Sequence, residues 1–299
     1  MKMVNRLKII CYAILLLAGP SVFAQRNTVR IGILTDCQYC NCETEGKRHY
    51  GLSLMKLDSC IEQFNKLPLD AVFHLGDMID HGYGNYDSVL PRFKKFRAPF
   101  HMVLGNHDYM IHKKYKEGLT GRLGLDSAYY RVDIGFWTLL VLNGDDLSYF
   151  APQSKHKRSE RNEMVGGLYS SLRGNGMLWN GGIGAAQMRW IAKELDSAEK
   201  SHRNVILLCH FPIYEKGDHN LFNNLEMLAT IKPYRCVKAY FNGHYHNGNY
   251  AVIDGIHLVN FRGMVDTKQN AFADITLTPD SILIKGYGRE PDRNLKIRK

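Results

Sequence analysis

Five apolar, strand-like runs of this sequence each end in a short cluster of Asp, Asn, Gln or His residues. In open α/β sheets, ligands bind outside the carboxyl ends of the strands, and the ends of parallel strands meet along one edge. A single cluster is the ordinary chemistry of a turn, but five in succession predict that these side chains gather at one site. The clusters are Asp36-Cys37-Gln38, Gly76-Asp77-Met78-Ile79-Asp80, Gly105-Asn106-His107-Asp108, His210 and Gly243-His244-Tyr245-His246.

Between these runs the chain shows helical periodicity. Leu54, Leu57, Ile61 and Phe64 recur at three- and four-residue steps, as on one face of an amphipathic helix. The 299 residues, 45% of them hydrophobic, suffice for one large α/β domain, and no change of composition marks a linker. Strands are predicted at 29–34, 71–75, 100–104, 128–132, 137–142, 205–208, 237–241, 250–253, 257–261, 272–277 and 282–287, and further helices at 185–198 and 221–231.

The segment from Asp145 to Gly184 differs from the rest of the chain. It has few apolar residues and includes the basic run Lys155-His156-Lys157-Arg158, so we expect little secondary structure there. Long segments of this kind inside a compact domain are functional or disordered. Two interpretations stay open at this point: a mobile surface loop, or a lid whose basic side chains meet a phosphorylated substrate.

The amino terminus has the pattern of an export signal. A positively charged stretch, residues 2–8, precedes an apolar run at 9–18 that is too short to cross a bilayer as a helix. The small residues of Val22-Phe23-Ala24 predict cleavage before Gln25.

These features predict a signal peptide at 1–24 and a domain at 25–299, exported to the periplasm or secreted. The alternative is an uncleaved amino-terminal anchor. No further apolar run of spanning length follows, so no membrane span is expected after cleavage. The absence of Asn-x-Ser/Thr sites favours a bacterial envelope over the eukaryotic secretory route.

The formal net charge of +10 raises the question of a nucleic-acid ligand. Three of the basic residues lie in the predicted leader, and most of the others are scattered along the chain. A duplex-binding protein would concentrate them on one face. We therefore expect no nucleic-acid partner, and the sequence leaves the oligomeric state open.

Six cysteines follow the predicted leader. Cys37, Cys40 and Cys42 are crowded enough for one of them to pair with Cys60, and an exported chain permits disulfides. A zinc site on the Cys-x-x-Cys-x-Cys pattern is the alternative, although the second half of a four-cysteine site is missing. The two remaining cysteines lie in apolar runs and are expected to be buried: Cys209 and Cys236.

The residue types at the strand ends form a set of metal ligands. Carboxylates, carboxamides and neutral imidazoles suit Mn²⁺, Mg²⁺, Fe or Zn²⁺ and require no thiolate. The ligands are too many for one ion. Two ions that share a carboxylate are the arrangement used for phosphoester displacement, so the pattern predicts a two-metal site for phosphoryl chemistry.

This succession resembles the calcineurin-like metallophosphoesterase superfamily, whose signature is D-x-H, G-D-x-x-D, G-N-H-D/E, a lone His and G-H-x-H. Within it, the chain is similar to the manganese-dependent ADP-ribose/CDP-alcohol diphosphatases. The resemblance runs from Val29 to Arg293 and implies a four-layer α/β/β/α sandwich with two mixed β-sheets. The subfamily features are Gln38 in place of the histidine of D-x-H, the stretch 179–184 with Gln187 and Trp190, and the ending 285–293.

The resemblance also implies which residues bind the ions. Asp77 would bridge two metal sites. A carboxamide oxygen from Gln38 makes its site harder and weaker, which favours Mn²⁺ over tightly held Zn²⁺ and predicts dependence on added metal; Mg²⁺, Fe and Zn²⁺ are the alternatives. The implied ligands are Asp36, Gln38, Asp77 and His246 for one ion, and Asp77, Asn106, His210 and His244 for the other.

His107 has no implied role as a ligand. By resemblance it protonates or stabilises the leaving group, and Asp80 orients and charges its imidazole. The histidines outside the motifs are expected to be core or surface residues: His74, His81, His101 and His257.

The expected substrate is a nucleotide-type small molecule cleaved at its pyrophosphate. ADP-ribose giving AMP and ribose 5-phosphate comes first, and CDP-choline or CDP-glycerol second. A phosphomonoesterase or cyclic-nucleotide phosphodiesterase on the same metal site is the enzyme alternative. A binding module with a degraded metal site is the other alternative. For several residues near the motifs, substrate contact and packing are equally open: Tyr39, Arg48, Tyr50, 211–214 and Arg262.

Overall fold

Two six-stranded mixed sheets form the centre of the molecule. The computed structural model describes residues 28–170 and 174–299, so the predicted signal peptide at 1–24 lies outside the described residues. In spatial order, the first sheet contains β12 (Arg293–Lys296), β11 (Ser281–Gly288), β10 (Ala271–Leu277), β1 (Val29–Leu34), β2 (Ala71–His74) and β3 (Phe100–Met102). The second contains β4 (Tyr130–Ile134), β5 (Trp137–Val141), β6 (Asn204–Leu208), β7 (Val237–Asn242), β9 (Ile256–Asn260) and β8 (Asn249–Ile253).

Seven α-helices connect these strands or follow them in the described chain. The helix predicted from the periodicity of residues 54–64 is confirmed as Ser53–Phe64, and it buries Leu57, Ile61 and Phe64. The α-helices are α1 (Ser53–Phe64), α2 (Tyr86–Phe93), α3 (Lys113–Lys116), α4 (Leu119–Arg122), α5 (Lys155–Ser170), α6 (Ala185–Lys200) and α7 (Asn224–Ile231).

Three layers of apolar contact hold the sheets and helices together. Ile31 and Ile33 of β1 point into a core shared by both sheets, where they meet Trp137 of β5. On the other face of β1, Gly32 lies so close to helix α1 that a Cβ would be 2.5 Å from the Phe64 ring. Each fully buried Ile or Phe side chain contributes roughly 1.5–3 kcal/mol to stability.

The outer faces of the sheets are covered by helices. Helices α1 and α2 pack on the first sheet, and α6 and α7 pack on the second. The order helix, sheet, sheet, helix is the four-layer α/β/β/α sandwich that the resemblance implied, and that prediction is confirmed.

The strand directions bring the polar clusters together. In the first sheet β1, β2 and β3 are parallel, and in the second β5, β6, β7 and β9 are parallel. The segments that follow these strands contain all five clusters. The segment after β9 also reaches this edge, because the Met264 N–H donates to the Thr35 carbonyl at 3.0 Å.

The expectation of little secondary structure between Asp145 and Gly184 is wrong. This segment includes helix α5, whose buried Val165 and Leu168 pack against Phe222. Few of its residues are apolar and buried, so its sequence lacks the broad apolar stripe that signals a helix.

Two basic side chains of this region are engaged within the protein. Lys157 forms an ion pair with Asp146. Arg161 donates to the Ser148 carbonyl at 3.0 Å, and its guanidinium lies 4.1 Å from the centroid of the Tyr149 ring.

The short helix α2 and the last strand β12 were also not foreseen from the sequence.

The structure gives the disulfide pattern, which the sequence left open. The disulfide joins Cys40 to Cys42, and Cys60 and Cys37 are buried free thiols. Cys209 and Cys236 are buried, as expected.

Within residues 28–170 and 174–299, none of the helices has both the length and the apolar character that crossing a membrane requires.

Candidate active site

Four of the seven proposed metal ligands have left-handed backbone conformations. The φ angles of Asp36, Gln38, Asp77 and His244 are +51°, +41°, +61° and +67°. Only three other non-glycine residues of the described chain have positive φ. Such conformations cost about 1–3 kcal/mol each and cluster at functional sites. The chain turns sharply after each strand, and the turn aims the side chain at the edge between the sheets.

Glycines make this crowding sterically feasible. Gly76 has φ +101°, and a Cβ there would lie 2.5 Å from Nδ1 of His210. At Gly105 a Cβ would overlap the carboxylate of Asp77. The glycines of the Gly-Asp and Gly-Asn motifs are therefore required by the close approach of the ligands themselves.

His210 presents a lone pair to two carboxylates. Its Nδ1 lies 2.8 Å from the Leu75 carbonyl oxygen, which can only accept, so Nδ1 carries the proton of the neutral ring. The other nitrogen, Nε2, lies 3.1 Å from Oδ2 of Asp77 and 4.0 Å from Oδ1 of Asp36. A lone pair that faces carboxylate oxygens is the arrangement expected around a cation.

His246 repeats this arrangement at Asp36. Its Nδ1 lies 2.9 Å from Oδ1 of Asp266, and its Nε2 lies 3.2 Å from Oδ1 of Asp36. A carboxylate that accepts a hydrogen bond from a metal-binding histidine fixes the tautomer and the orientation of the ring.

His244 is held through its other nitrogen. Its Nε2 lies 3.0 Å from Oδ1 of Asn180, whose amide donates to the carbonyls of Asn175 and Asp218. Nε2 of His244 is therefore the donor, and Nδ1 keeps the lone pair. Ligand atoms of Asp77, His210 and His244 all lie within 4.8 Å of one another.

Several buried polar atoms at this edge have no hydrogen-bond partner. An orphaned buried polar group costs about 1–3 kcal/mol, and a cluster of such groups indicates a ligand that would satisfy them. Gln38 donates to Oδ2 of Asp77 at 3.0 Å, which leaves its own oxygen free. The partnerless atoms of this set are Oδ1 of Asp36, Oε1 of Gln38, Oδ1 of Asn106 and Nε2 of His210. The donor set thus fits divalent cations that prefer oxygen and imidazole.

The electrostatics of the site also favour cations. Burial lowers the pKa of the His210 ring, but the charges of Asp77 and Asp36 outweigh burial and raise the pKa to about 10. Burial likewise opposes protonation of His246, yet Asp36 and Asp266 raise its pKa to about 9. The negative charges that raise these pKa values would equally attract a metal cation.

His107 and Asp80 form the pair that the sequence predicts. Nδ1 of His107 forms an ion pair with Asp80 Oδ1 and lies 3.0 Å from the Asp80 carbonyl. The backbone N–H of His107 donates to Oδ1 of Asp77 at 2.9 Å. Burial works against a charged ring, but Asp77 and Asp80 raise the pKa of His107 above its usual value. Nε2 is the nitrogen left for the cleft.

A cleft of about 380 Å³ opens over these side chains. Its walls include Phe150, Trp179 and His219, and Arg48 lies at its margin. Arg48 also lines an adjoining cleft of about 570 Å³ together with Lys47 and Tyr245. A similarly large cleft, about 580 Å³, lies beside α2 and contains none of the proposed ligands.

The sequence analysis did not identify the groups that orient the ligands. Asn180 and Asp266 hold two of the histidines, as described above. Asp108 accepts hydrogen bonds from the N–H groups of Gly105, Asp77 and Met78, which braces two of the motifs. Its place in the Gly105–Asp108 motif is the one signal that could have pointed to this role.

A buried lysine holds the segment that carries Asp266. The Lys56 ammonium donates to the carbonyls of Met264 and Thr267 at 2.7 and 2.6 Å, and to those of Val265 and Asp266 at 3.3 Å. Burial lowers its pKa to about 8. A lone lysine in an amphipathic helix gives no sequence signal for such a role.

The histidines outside the motifs divide into two groups. His74, His101 and His257 pack away from the cleft: His74 is buried, His101 stacks on Phe73, and His257 contacts Tyr250. His81, however, contacts the Asp80 carboxylate at 3.2 Å.

The chain is similar to several known proteins. The curated manganese-dependent ADP-ribose/CDP-alcohol diphosphatases of Homo sapiens and Oryza sativa are 26% and 27% identical to this chain. The alignments cover 90% and 88% of this chain, and 92% of each relative. The crystal structure of a dimetal phosphatase from Danio rerio has the same fold, with a TM-score of 0.81 at 20% identity over 90% of this chain and 99% of that one.

The family model for calcineurin-like phosphoesterases matches residues 29–248. This range contains all seven proposed ligands together with His107 and Asp80. The chain therefore belongs to the calcineurin-like phosphoesterase family and is a metal-dependent phosphoester hydrolase.

Proposed function

We propose that this protein uses two divalent ions, with manganese as the preferred metal, to hydrolyse the pyrophosphate of nucleoside-diphosphate-linked small molecules. ADP-ribose, giving AMP and ribose 5-phosphate, is the first candidate substrate. CDP-choline and CDP-glycerol, giving CMP and a phospho-alcohol, are the second. The names of the human and rice relatives support this choice.

The position of Asp77 carries the proposal. Its Oδ2 lies 3.1 Å from Nε2 of His210 and accepts from Gln38 at 3.0 Å. One carboxylate thus lies between the two proposed sets of ligands. Asp36, Gln38 and His246 would hold one ion with Asp77, and Asn106, His210 and His244 would hold the other.

The donor chemistry supports manganese. Five of the seven proposed ligands are carboxylates or imidazoles. The other two, Gln38 and Asn106, would contribute amide oxygens, which are harder and weaker donors. When bound, such a pair of ions neutralises phosphoryl oxygens and lowers the pKa of bound water toward neutrality.

His107 would hold and deliver the proton that the departing group needs. Its Nδ1 is fixed by Asp80, and its raised pKa keeps the ring protonated at higher pH than a free imidazole. Nε2 can then donate to the oxygen of the leaving phosphate as the phosphorus–oxygen bond breaks.

The walls of the cleft suit a nucleotide. Phe150, Trp179 and His219 offer ring faces to a base, and 37% of the Trp179 surface is exposed. The Arg48 guanidinium lies 3.7 Å from the Asp80 carboxylate, beside the proposed proton donor. From there it could meet a phosphate group.

The test is a panel of substrates offered to protein that begins at Gln25. The protein is stripped with a chelator and then given Mn²⁺ or Mg²⁺. The panel comprises ADP-ribose, CDP-choline, a cyclic nucleotide and a generic phosphomonoester, and the products are separated by chromatography. We expect AMP or CMP with its phosphorylated partner, no free phosphate, and faster turnover with Mn²⁺ than with Mg²⁺.

The identity of the products separates the alternatives. Free phosphate from the monoester, or a linear nucleotide from the cyclic one, as the faster reaction would overturn the diphosphatase proposal and leave a phosphoester hydrolase of another specificity. Fewer than one turnover on all four substrates with saturating Mn²⁺ would favour the binding module.

We also propose that the protein is exported, with cleavage before Gln25. The leader pattern supports this, and the Cys40–Cys42 disulfide is of a kind that persists in oxidising compartments. Cell fractionation and amino-terminal sequencing of the processed protein test the proposal. An intact amino terminus in the cytoplasmic fraction would contradict it.

A further inference from the structure

A second cluster of metal-ligand side chains lies beside the active site. Ligand atoms of Cys40, Cys42 and His81 all lie within 4.8 Å of one another, and the two cysteines are joined as a disulfide. Sγ of Cys40 lies 3.5 Å from Nε2 of His81. The proposed reaction uses none of these three side chains.

The backbone brings this cluster together independently of the disulfide. Tyr39 pairs with Ile79 in a parallel bridge, and the Asp80 N–H donates to the Tyr39 carbonyl at 3.2 Å. One residue earlier, the Gln38 N–H donates to the Asp77 carbonyl at 2.9 Å. The framework that positions two proposed ligands of the active site therefore also sets Cys40 beside His81 through contacts that do not involve the disulfide.

His81 is oriented as a metal-binding histidine is. Its Nδ1 lies 3.2 Å from Oδ2 of Asp80. A carboxylate only accepts, so Nδ1 carries the proton and the lone pair of Nε2 faces the sulfur of Cys40. In zinc sites, a metal-binding histidine usually donates its other ring N–H to a carboxylate in this way.

The cluster is open to solvent on the side of Cys42 and His81, whereas Cys40 is buried. The His81 side chain is 55% exposed, and Cys42 is partly exposed, whereas the free thiols of Cys37 and Cys60 are fully buried. A disulfide that closes so short a loop constrains the unfolded chain little, so stability alone does not explain the pair. Reductants and metal ions can reach it.

We propose that reduction of the Cys40–Cys42 disulfide creates a site for a thiophilic divalent cation, zinc, held by both cysteines and His81. Two thiolates and one imidazole are a known ligand set for zinc and leave one position for water. Sulfur ligands also select against Mn²⁺, so this site and the active site prefer different ions.

The chemistry balances with a reductant of the thiol or phosphine class. A phosphine attacks one sulfur and breaks the S–S bond. Water then supplies the oxygen of the phosphine oxide and the protons of two thiols. As Zn²⁺ binds, each thiol releases its proton to solvent, and two S–Zn bonds form.

The test compares zinc binding before and after reduction with a water-soluble phosphine. We expect the reduced protein to bind one more zinc ion per chain than the oxidised protein, measured by mass spectrometry of bound metal. Zinc X-ray absorption will show sulfur neighbours at about 2.3 Å. Cobalt will give a thiolate charge-transfer band, which the active-site ligands cannot produce because they include no sulfur.

Matched variants separate this site from the active site. The double variant Cys40→Ser/Cys42→Ser should lose the additional zinc ion and the cobalt band, while Cys236→Ala should keep both. His81→Ala, which leaves the thiols in place, should weaken zinc binding about tenfold or more because one of three protein ligands is gone.

If the double variant does not fold, alkylation of the two thiols in the reduced wild-type protein serves the same purpose. Equal zinc content in the reduced, oxidised and alkylated proteins would overturn the proposal. So would zinc absorption without sulfur neighbours.

Discussion

The first sheet supplies the proposed oxygen ligands of the candidate active site, whereas the second supplies the proposed imidazole ligands. Asp36, Gln38, Asp77 and Asn106 follow strands of the first sheet, and His210, His244 and His246 follow strands of the second.

The two halves are also positioned in different ways. In the oxygen half, which comprises the four residues that follow the first sheet, the backbone conformation positions the side chains. The backbone N–H of Asp77 donates to Asp108 at 2.9 Å, and three of the four proposed ligands in this half have positive φ. In the imidazole half, each ring depends on one hydrogen bond to another segment. The acceptors are the Leu75 carbonyl for His210, Asn180 for His244 and Asp266 for His246.

This difference teaches where the site can be adjusted. The oxygen half is fixed by the turns that form when the sheet folds, so a change there alters the fold of the turn or the charge of the site. The imidazole half can be loosened by removing one orienting partner, because the turn that carries the histidine stays intact.

The largest effect is expected from the residue that joins the halves. Asp77→Asn preserves the shape of the side chain but removes the negative charge that the two proposed ions would share. Turnover should fall by roughly a thousandfold or more, because several kcal/mol of charge stabilisation is lost at tenfold per 1.4 kcal/mol. Manganese content, measured together with kcat, should fall as well. Asp70→Asn, remote from the cleft, is the matched control, and near-normal metal content and turnover in Asp77→Asn would break the comparison.

The second prediction concerns a residue of the oxygen half that is not a ligand. His107→Gln removes the proposed proton donor and should lower kcat by about 10²–10⁴-fold with unchanged manganese content. Steady-state kinetics and metal analysis check this together. His101→Gln, which changes a histidine stacked on Phe73, controls for general damage. Parallel loss of metal and activity in His107→Gln would assign it to the scaffold instead.

The third prediction tests the imidazole half. Asn180→Ala and Asp266→Asn each remove or weaken one orienting hydrogen bond, and each should weaken manganese affinity by roughly 10–100-fold. Since the partners hold different histidines, a different ion should be affected in each variant. Manganese titrations that measure the bound metal directly should therefore show one tight and one weak step in both variants. Unchanged midpoints would mean that the rings are positioned without these partners.

The smallest effect is expected where the oxygen half departs from its superfamily. Gln38→His restores an imidazole and should lower the manganese concentration needed for half-maximal activity by about tenfold, because imidazole is the stronger ligand. Gln63→His on α1 is the control. A weaker manganese requirement in the control, or a stronger one in Gln38→His, would contradict the argument.

Much of this site could be predicted because its ligands are local to strand ends. Asp36, Asp77 and Asn106 each lie two residues beyond the end of a strand-like run. Periodicity and motif spacing therefore identify them. The sandwich followed from the resemblance that these motifs carry.

The remaining parts depend on contacts that no local pattern records. Asn180 meets His244 from 64 residues away, and the Leu75 carbonyl meets His210 from 135 residues away. Helix α5 was missed because its few buried residues, such as Val165 and Leu168, leave no broad apolar stripe. The pairing of Cys40 with Cys42 could not be chosen over pairing with Cys60 without the folded chain.

The positive φ angles of Asp36, Gln38, Asp77 and His244 set a trade-off for anyone who engineers this protein. Each left-handed residue costs about 1–3 kcal/mol, whereas glycine there costs only about 0.4–1 kcal/mol of additional chain entropy. A selection for thermal resistance alone would therefore favour glycine at these four positions. The selected protein would have a higher free energy of unfolding but no catalytic activity. Screens for stabilised variants must therefore select for turnover as well.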